Sequence, residues 1–287
     1  MEKITQSILK EVYKARPLES RKYDFGFLLV VGGSEHYTGS PALAGMAAFR
    51  AGVDMVKILA PRRAADIIAS FSPNLATSPF EGKWFDAEDV PFALSQEKSI
   101  FEVAGDKAVL LIGGGLGRSP EVKQAVVDFL KETTLKSVID ADAIHVVAKH
   151  KELIRNKNYI LTPHYYEFFV LSGKEIKDLP LEEKAKIVQE TARDLGCVIL
   201  LKGRVDIISD GEEVALNYTG NAFMTVGGTG DTLAGIVGAL LSITNNPFLA
   251  AKAAAFINGK AGELASKKFG HGTTATDLID CLPQVIL

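Results

Sequence analysis

The sequence predicts an α/β fold with a mainly parallel central sheet and helices on both faces. Short apolar runs, such as residues 27–31 and 108–112, alternate with longer helical patterns for most of the chain, which favours parallel strands joined by crossover helices. These runs are continuously apolar, as expected of strands buried on both sides. No linker or repeat divides the 287 residues. We therefore expect one domain over 26–287, preceded by a helical N-terminal extension over 1–25.

The first half of the chain predicts strands at 27–31, 53–59 and 108–112. An alanine-rich helix begins at Gly39-Ser40-Pro41 and another follows Pro61, with proline near the first turn in each case. The alternation of strand and helix patterns weakens over 72–98, a segment with prolines at 73, 79 and 91. We expect a surface segment there, with one or two short elements.

The second half predicts strands at 137–139, 159–161 and 198–201, then a hairpin of 205–208 and 214–216 around Asp210-Gly211. Helices are expected over 120–133, 181–195, from Asn246-Pro247 to about 267, and over 276–282. A glycine-rich loop, Gly227-Gly228-Thr229-Gly230-Asp231, opens a further helix. Its apolar residues repeat at three- and four-residue spacing, which indicates a buried helix.

Composition excludes several classes of protein. The hydrophobic content of 47% supports a sizeable core, and a net charge of −3 argues against a nucleic-acid partner held by a basic face. Two cysteines form neither a metal motif nor a disulfide framework. The N-terminus lacks the apolar core of a signal peptide, and no run is long enough to span a bilayer. We expect a soluble, cytoplasmic protein with no membrane partner.

Polar and glycine-rich clusters follow the carboxyl ends of most predicted strands. In an open α/β sheet these ends line the ligand crevice, so we expect the clusters to converge there. They are Gly32-Gly33, Gly113 to Gly117, Asp140 to Asp142, Thr162 to His164, Lys202-Gly203 and Gly227 to Asp231.

The loop at Gly227 to Asp231 has two interpretations. Asp231 is either a simple N-cap after a tight turn, or part of an anion site made of backbone N–H groups at a helix N-terminus. A cap needs one glycine at most, whereas this loop has three within four positions. Asp140 and Asp142 likewise fit either a magnesium pair or helix caps equally well.

Common catalytic motifs are missing elsewhere. The chain has no Walker loop, and neither glycine cluster fits the dinucleotide fingerprint. None of the five histidines lies in a zinc pattern, and no serine lies in a nucleophile elbow. His164 is the best histidine candidate, because it follows a strand end and a proline.

The residues resemble a known family. Gly228-Thr229-Gly230-Asp231 is similar to the anion hole of the ribokinase-like superfamily. Further motifs occur in the order and spacing of the NAD(P)H-hydrate dehydratases, over about Gly26 to Pro283. They are GGSEHYTGSPALAGMAAFRAGVDMV, GGGLG, VIDADAI, LTPHYYE, LKG and GNAFMTVGGTGDTLAGI.

The resemblance implies a nucleotide-driven repair enzyme that dehydrates NADHX and NADPHX to NADH and NADPH. Bacterial and archaeal members use ADP and release AMP and phosphate, while animal and fungal members use ATP. The resemblance further implies a Mg²⁺ ion with unknown protein ligands, and a homotetramer. Asp231 becomes the general base that removes the proton of the ring hydroxyl.

The resemblance also assigns residues by position. The nucleotide loop corresponds to Lys202, Gly203, Arg204, Val205 and Asp206, with Gly230 as a second contact. The hydrate-binding residues correspond to Ser40, Gly117, His164 and Asp231. The anion hole corresponds to Gly228, Thr229, Gly230 and Asp231.

This chain departs from the family pattern at several positions. Ser40 stands where alanine is usual, Gly114 where proline is common, Tyr165-Tyr166 where Pro-Gly is common, and Asp206 where threonine is frequent. An epimerase domain is often fused N-terminally, but only about 25 residues precede the first predicted strand here, so we expect a stand-alone dehydratase domain. The alternatives are a small-molecule kinase of the same superfamily, for a hydroxymethylpyrimidine, a hydroxyethylthiazole or a sugar, and a non-catalytic nucleotide sensor.

Overall fold

A computed structural model describes all residues, 1–287, and has one ten-stranded sheet at its centre. The strand order is β1-β10-β9-β8-β7-β6-β5-β2-β3-β4. In chain order the strands are β1 Glu2–Lys3, β2 Phe27–Val31, β3 Met55–Pro61, β4 Ala76–Phe80, β5 Ala108–Ile112, β6 Lys136–Ile139, β7 Tyr159–Leu161, β8 Val198–Leu201, β9 Asp206–Ser209 and β10 Val214–Asn217.

The sheet is mainly parallel, as predicted. Only β9 runs antiparallel to its neighbours, β8 and β10, and it forms the predicted hairpin with β10. Two interior strands, β2 and β5, are buried along their whole length and pair with each other in register. Their continuous apolar sequences arise because side chains on both sides of each strand enter a core.

Eleven helices cover the sheet. They are α1 Ile8–Val12, α2 Gly39–Arg50, α3 Arg62–Phe71, α4 Val90–Ala104, α5 Pro120–Glu132, α6 Ala141–Val147, α7 Tyr165–Ser172, α8 Leu181–Leu195, α9 Thr229–Thr244, α10 Pro247–Phe269 and α11 Ala275–Ile286. One core lies under α1, α2, α3, α9, α10 and α11, and takes Leu28 and Val30 from β2. The other lies under α4 to α8 and takes Leu29 and Val31. The prediction of helices on both faces is confirmed.

The expectation of a surface segment with one or two short elements over 72–98 fits the short edge strand β4 but missed the long helix α4. The chain forms the strand β4 and then enters the 15-residue helix α4. Proline is tolerated at both places: Pro79 lies in an edge strand, which needs ladder bonds on one side only, and Pro91 lies in the first turn of α4.

Residues 1–25 are less helical than expected. Only Ile8–Val12 is helical, and Glu2–Lys3 adds a parallel strand to β10 at the edge of the sheet. Four side chains of this segment are buried in the core, namely Ile4, Ile8, Leu9 and Val12. The segment therefore packs on the same sheet as the rest of the chain. None of the eleven helices is both long and apolar enough to cross a membrane.

Candidate active site

The polar clusters predicted at the strand ends lie side by side, and main-chain hydrogen bonds join them. Gly33 N donates to Gly114 O (2.8 Å), and Lys202 N donates to Pro163 O (2.8 Å). Asp140 N and Thr162 N each donate to the last residue of the neighbouring strand. These loops therefore form one continuous rim at the carboxyl edge of the parallel strands, as expected for this fold.

The glycine loop leads into α9, which begins at Thr229. Gly228 has φ +99°, and a Cβ there would overlap both Leu43 and Ala275. No side chain caps the helix, and the first main-chain bond runs from Thr232 N to Gly228 O (3.0 Å). The N–H groups of the first turn are therefore free to bind an anion, where the helix dipole also favours one.

Asp231 lies in this first turn and faces α2. Ser40 Oγ donates a hydrogen bond to Asp231 Oδ1. The two helices come unusually close, since a Cβ on Gly235 would overlap the main chain of Ala44. Ser40 lies one helical turn before Ala44 on α2, and Asp231 lies one turn before Gly235 on α9. The close approach of the two helices therefore also places Ser40 next to Asp231.

Burial raises the pKa of Asp231 to about 6. The hydrogen bond from Ser40 opposes this rise, the negative charge of Asp140 adds to it, and the positive charge of Lys202 again opposes it. A carboxylate with a pKa near the working pH is suited to general base catalysis. The interpretation of Asp231 as a simple cap is not supported, because it makes no capping hydrogen bond.

Lys202 is held between two acidic side chains. Its Nζ lies 3.1 Å from Asp140 Oδ1 and 3.9 Å from Glu167 Oε2, and its side chain is only 20% exposed. Burial lowers the pKa of Lys202, but the adjacent carboxylates outweigh burial and the net pKa is raised, so the ammonium stays charged. A Cβ built on Gly230 would lie 3.6 Å from this Nζ. Lys202 therefore lies beside the N-terminus of α9.

Asp206 closes the turn between β8 and β9. Its Oδ1 accepts from Gly203 N (3.0 Å) and its Oδ2 accepts from Asn217 Nδ2 (2.9 Å), while burial raises its pKa to about 6. The carboxylate thus holds the loop in shape. Within the same turn, Arg204 is exposed and Val205 is half-buried.

Gly117 and His164 lie on another part of the rim. Gly117 N donates to Asp142 Oδ2 (2.9 Å), and Asp142 Oδ1 accepts from Arg118 (2.6 Å). The His164 ring is 53% exposed, and its Nδ1 accepts from Glu167 N (3.1 Å). Glu167 in turn accepts from His164 N (2.8 Å), which completes a capping box on α7.

The two aspartates that suggested a magnesium pair belong to separate networks. Asp140 accepts from Lys202 and from Thr162 Oγ1 (2.6 Å), whereas Asp142 holds Gly117 and Arg118. Neither side chain caps α6. The two carboxylates therefore point to different partners in this structure, and the prediction that they cap α6 through their side chains is wrong.

The site residues assigned from the resemblance lack three groups that the structure places in the site: the pair Thr162 and Asp140, then Glu167, and then Gly114. Thr162 and Asp140 hold Lys202 in position, and Glu167 contacts both Lys202 and His164. The signal for Glu167 was its position three residues after His164, the spacing of a capping box. Gly114 is the third group, and it lines one small cavity with Ser40, Asp140 and Asp231.

A mainly parallel sheet with a glycine loop and a half-buried aspartate at a helix N-terminus defines a protein of the ribokinase-like fold. A ribokinase-like superfamily protein from Enterococcus faecalis has the same fold, with a TM-score of 0.83 over 99% of this chain and 95% of that chain, at 25% identity. The sequence profile of the NAD(P)H-hydrate dehydratases matches residues 28–284. The chain belongs to this family.

Individual relatives support this family assignment. The ADP-dependent (S)-NAD(P)H-hydrate dehydratase of Nitrosopumilus maritimus is 36% identical over 283 residues, which cover 98% of this chain and 94% of that protein. A crystal structure of the ADP/ATP-dependent NAD(P)H-hydrate dehydratase from Bacillus subtilis, obtained with ATP and Mg²⁺, matches with a TM-score of 0.77 at 27% identity, over 98% and 96% of the two chains.

Other relatives are longer. A bifunctional NAD(P)H-hydrate repair enzyme from Pyrobaculum aerophilum is 42% identical over 273 residues, 94% of this chain but 52% of that protein. The chain thus spans about half the length of the bifunctional relatives that it matches.

Proposed function

We propose that this protein catalyses the ADP-dependent dehydration of the S-epimer of NAD(P)H hydrate to NAD(P)H, with release of AMP and phosphate. The observation that carries the proposal is Asp231, a half-buried carboxylate with a pKa raised to about 6 at the uncapped N-terminus of α9. The chain's full-length match to ADP-dependent relatives supports the choice of reaction and of nucleotide.

The residues perform the reaction in two stages. Asp231 accepts the proton of the ring hydroxyl as the hydroxyl oxygen bonds to the terminal phosphorus of ADP and the bond to AMP breaks. Hydroxide is a poor leaving group and phosphate is a good one. Phosphate then departs from the ring carbon, the adjacent ring carbon releases a proton to water, and the ring double bond re-forms.

The surrounding groups stabilise the charge of the transferred phosphoryl group. The free N–H groups at Thr229, Gly230 and Asp231 point to where negative charge develops, and they are already oriented before the reaction. Lys202 supplies positive charge beside them, held in position by Asp140 and Glu167. Hydrogen bonds to a charged partner are stronger than neutral ones, so this pairing keeps Lys202 both charged and oriented.

The residues fit a magnesium ion that arrives with the nucleotide. No group of three or more histidine, cysteine, aspartate or glutamate side chains forms a metal cage in the structure. Mg²⁺ commonly takes only one or two carboxylates and completes its shell with phosphate and water. Asp140 would supply such a ligand, since its Oδ2 accepts no hydrogen bond from the protein and the side chain lines the cavity with Asp231. The ion would neutralise phosphate charge.

One coupled assay tests the proposed function. The purified protein is given mixed hydrates with ADP or with ATP, and both the absorbance of reduced nicotinamide and the formation of AMP are followed. We expect nicotinamide to appear with ADP in a one-to-one ratio to AMP. Turnover with ATP alone would refute the nucleotide assignment, and phosphorylation of a thiazole, pyrimidine or sugar alcohol without any dehydration would identify a kinase instead. Nucleotide binding with no turnover would identify a sensor.

The same family relationship supports a homotetramer. Sedimentation analysis of the purified protein tests this part separately, with a monomeric mass of 30.8 kDa as the reference.

A further inference from the structure

The side chain of Ser40 hydrogen-bonds to Asp231, the proposed general base. It is buried at the start of α2, and its hydroxyl donates to Asp231 Oδ1. No other protein atom accepts or donates a hydrogen bond at this hydroxyl. The interaction joins residues 191 positions apart in the sequence, so it exists only because α2 and α9 pack together.

Gly114 provides the space for this hydroxyl. A Cβ at position 114 would overlap Ser40 Oγ and come within 3.2 Å of Asp231 Oδ1. Gly114 does not have the positive φ that excludes other residues, unlike Gly113 (+138°) and Gly115 (+71°) on either side. Glycine is therefore required here for space near the Ser40 hydroxyl and not for backbone conformation.

We propose that Ser40 is a positioning residue for the reaction: its hydroxyl, accommodated by Gly114, orients Asp231 and keeps the carboxylate in its basic form. This inference rests on the proposed function for its meaning in catalysis. The hydroxyl donates its hydrogen bond to Oδ1 of Asp231, so Oδ2 remains free to receive the substrate proton. An aspartate without this hydrogen bond would rotate more freely and would bind a proton more tightly, since burial and Asp140 both favour its neutral form.

The charged groups around Asp231 set the direction in which its pKa should change in Ser40→Ala. Asp140, at the end of β6, raises the pKa of Asp231, while Lys202, at the end of β8, lowers it together with Ser40. Glu167 on α7 pairs with Lys202 from the far side. In Ser40→Ala these charges stay in place and only the hydrogen bond is lost, so the pKa of Asp231 must rise.

The first experiment measures the pH profile of kcat/KM with ADP for the wild type and for Ser40→Ala. We expect the acid limb of Ser40→Ala to move up by roughly one pH unit, so that most of the lost activity returns on the alkaline side. The matched control is Ser242→Ala, which removes another buried hydroxyl at the opposite end of α9 and should leave the profile unchanged. An equal loss at every pH would overturn the proposal, because it would indicate a structural role only.

The second experiment tests the link to Gly114. Gly114→Ala should displace the Ser40 hydroxyl and therefore reproduce the shifted acid limb. Combined with Ser40→Ala, it should have little further effect, within about twofold of Ser40→Ala alone, because coupled sites are not additive. Additive losses in the double variant would refute the steric link.

A third measurement separates this proposal from the proposed function. Carboxyl ¹³C NMR titration of the protein without substrate reports the pKa of Asp231 directly, with Asp231→Asn identifying the resonance. A higher pKa in Ser40→Ala would support the positioning role even if the dehydration assay failed. An unchanged pKa would overturn it even if the enzyme were fully active.

Discussion

Replacing Asp231 by asparagine separates catalysis from stability in a single variant. Asparagine keeps an oxygen that can accept the hydrogen bond of Ser40, and it has nearly the same shape. It cannot accept the substrate proton. Loss of a general base typically reduces the rate by about 10²–10⁴-fold, so hydrate dehydration should fall at least a hundredfold while ADP still binds.

The stability of the same variant should change in the opposite direction. Burial raises the pKa of Asp231 from the ordinary 3.8 to about 6. Between these values the folded state binds more protons than the unfolded state, so the wild type loses stability as the pH rises through this range. The difference of about two pH units is worth at most roughly 3 kcal/mol. Asparagine carries no charge, so burying it does not cost this free energy. The variant should therefore melt a few degrees higher than the wild type at pH 8, and at the same temperature as the wild type below pH 4.

Calorimetric melting at the two pH values and the coupled assay measure both effects. Asp89→Asn is a matched control, because the pKa of Asp89 is also raised to about 6 by burial, at a capping box before α4. It should leave the rate unchanged. Near-normal dehydration in a well-folded Asp231→Asn protein would refute the role of the carboxylate, and with it the proposed phosphoryl transfer.

The same geometry gives three further predictions. Lys202→Ala should weaken ADP binding by about 1.5–3 kcal/mol, the range for a charged hydrogen bond, and unchanged affinity in calorimetry would remove Lys202 from the nucleotide site. Wild-type kcat/KM should fall as the pH drops through about 6, where Asp231 becomes protonated, and a flat profile down to pH 5 would contradict its assignment as the base. Gly228→Ala should lower both the melting temperature and ADP affinity, because φ there is +99° and a Cβ would meet Leu43 and Ala275. Gly227→Ala is the control, since a Cβ there has no neighbour within 4 Å, and equal effects of the two variants would refute this reasoning.

Sequence patterns predicted the sheet well where strands are buried on both faces. Runs such as Phe27–Val31 and Ala108–Ile112 needed no tertiary information, because every residue in them is apolar. The same approach did not locate β4 and α4, where the weak pattern and the prolines suggested a surface segment with only one or two short elements. A proline is compatible with an edge strand or a first helical turn, but only the assembled sheet shows that β4 is an edge.

The amino-acid sequence by itself determined the alternation of buried strands and helices, the glycine loop ahead of a buried helix, and the cluster of polar residues at the strand ends. These features depend on local periodicity and on the burial of each element. Only the tertiary structure decided which partners the charged groups take: Asp140 binds Lys202, Asp142 binds Gly117, and Ser40 reaches Asp231. Periodicity records whether a position is buried, but a hydrogen bond between distant residues depends on how closely two elements pack. Here the packing of α2 against α9 gave Asp231 its partner.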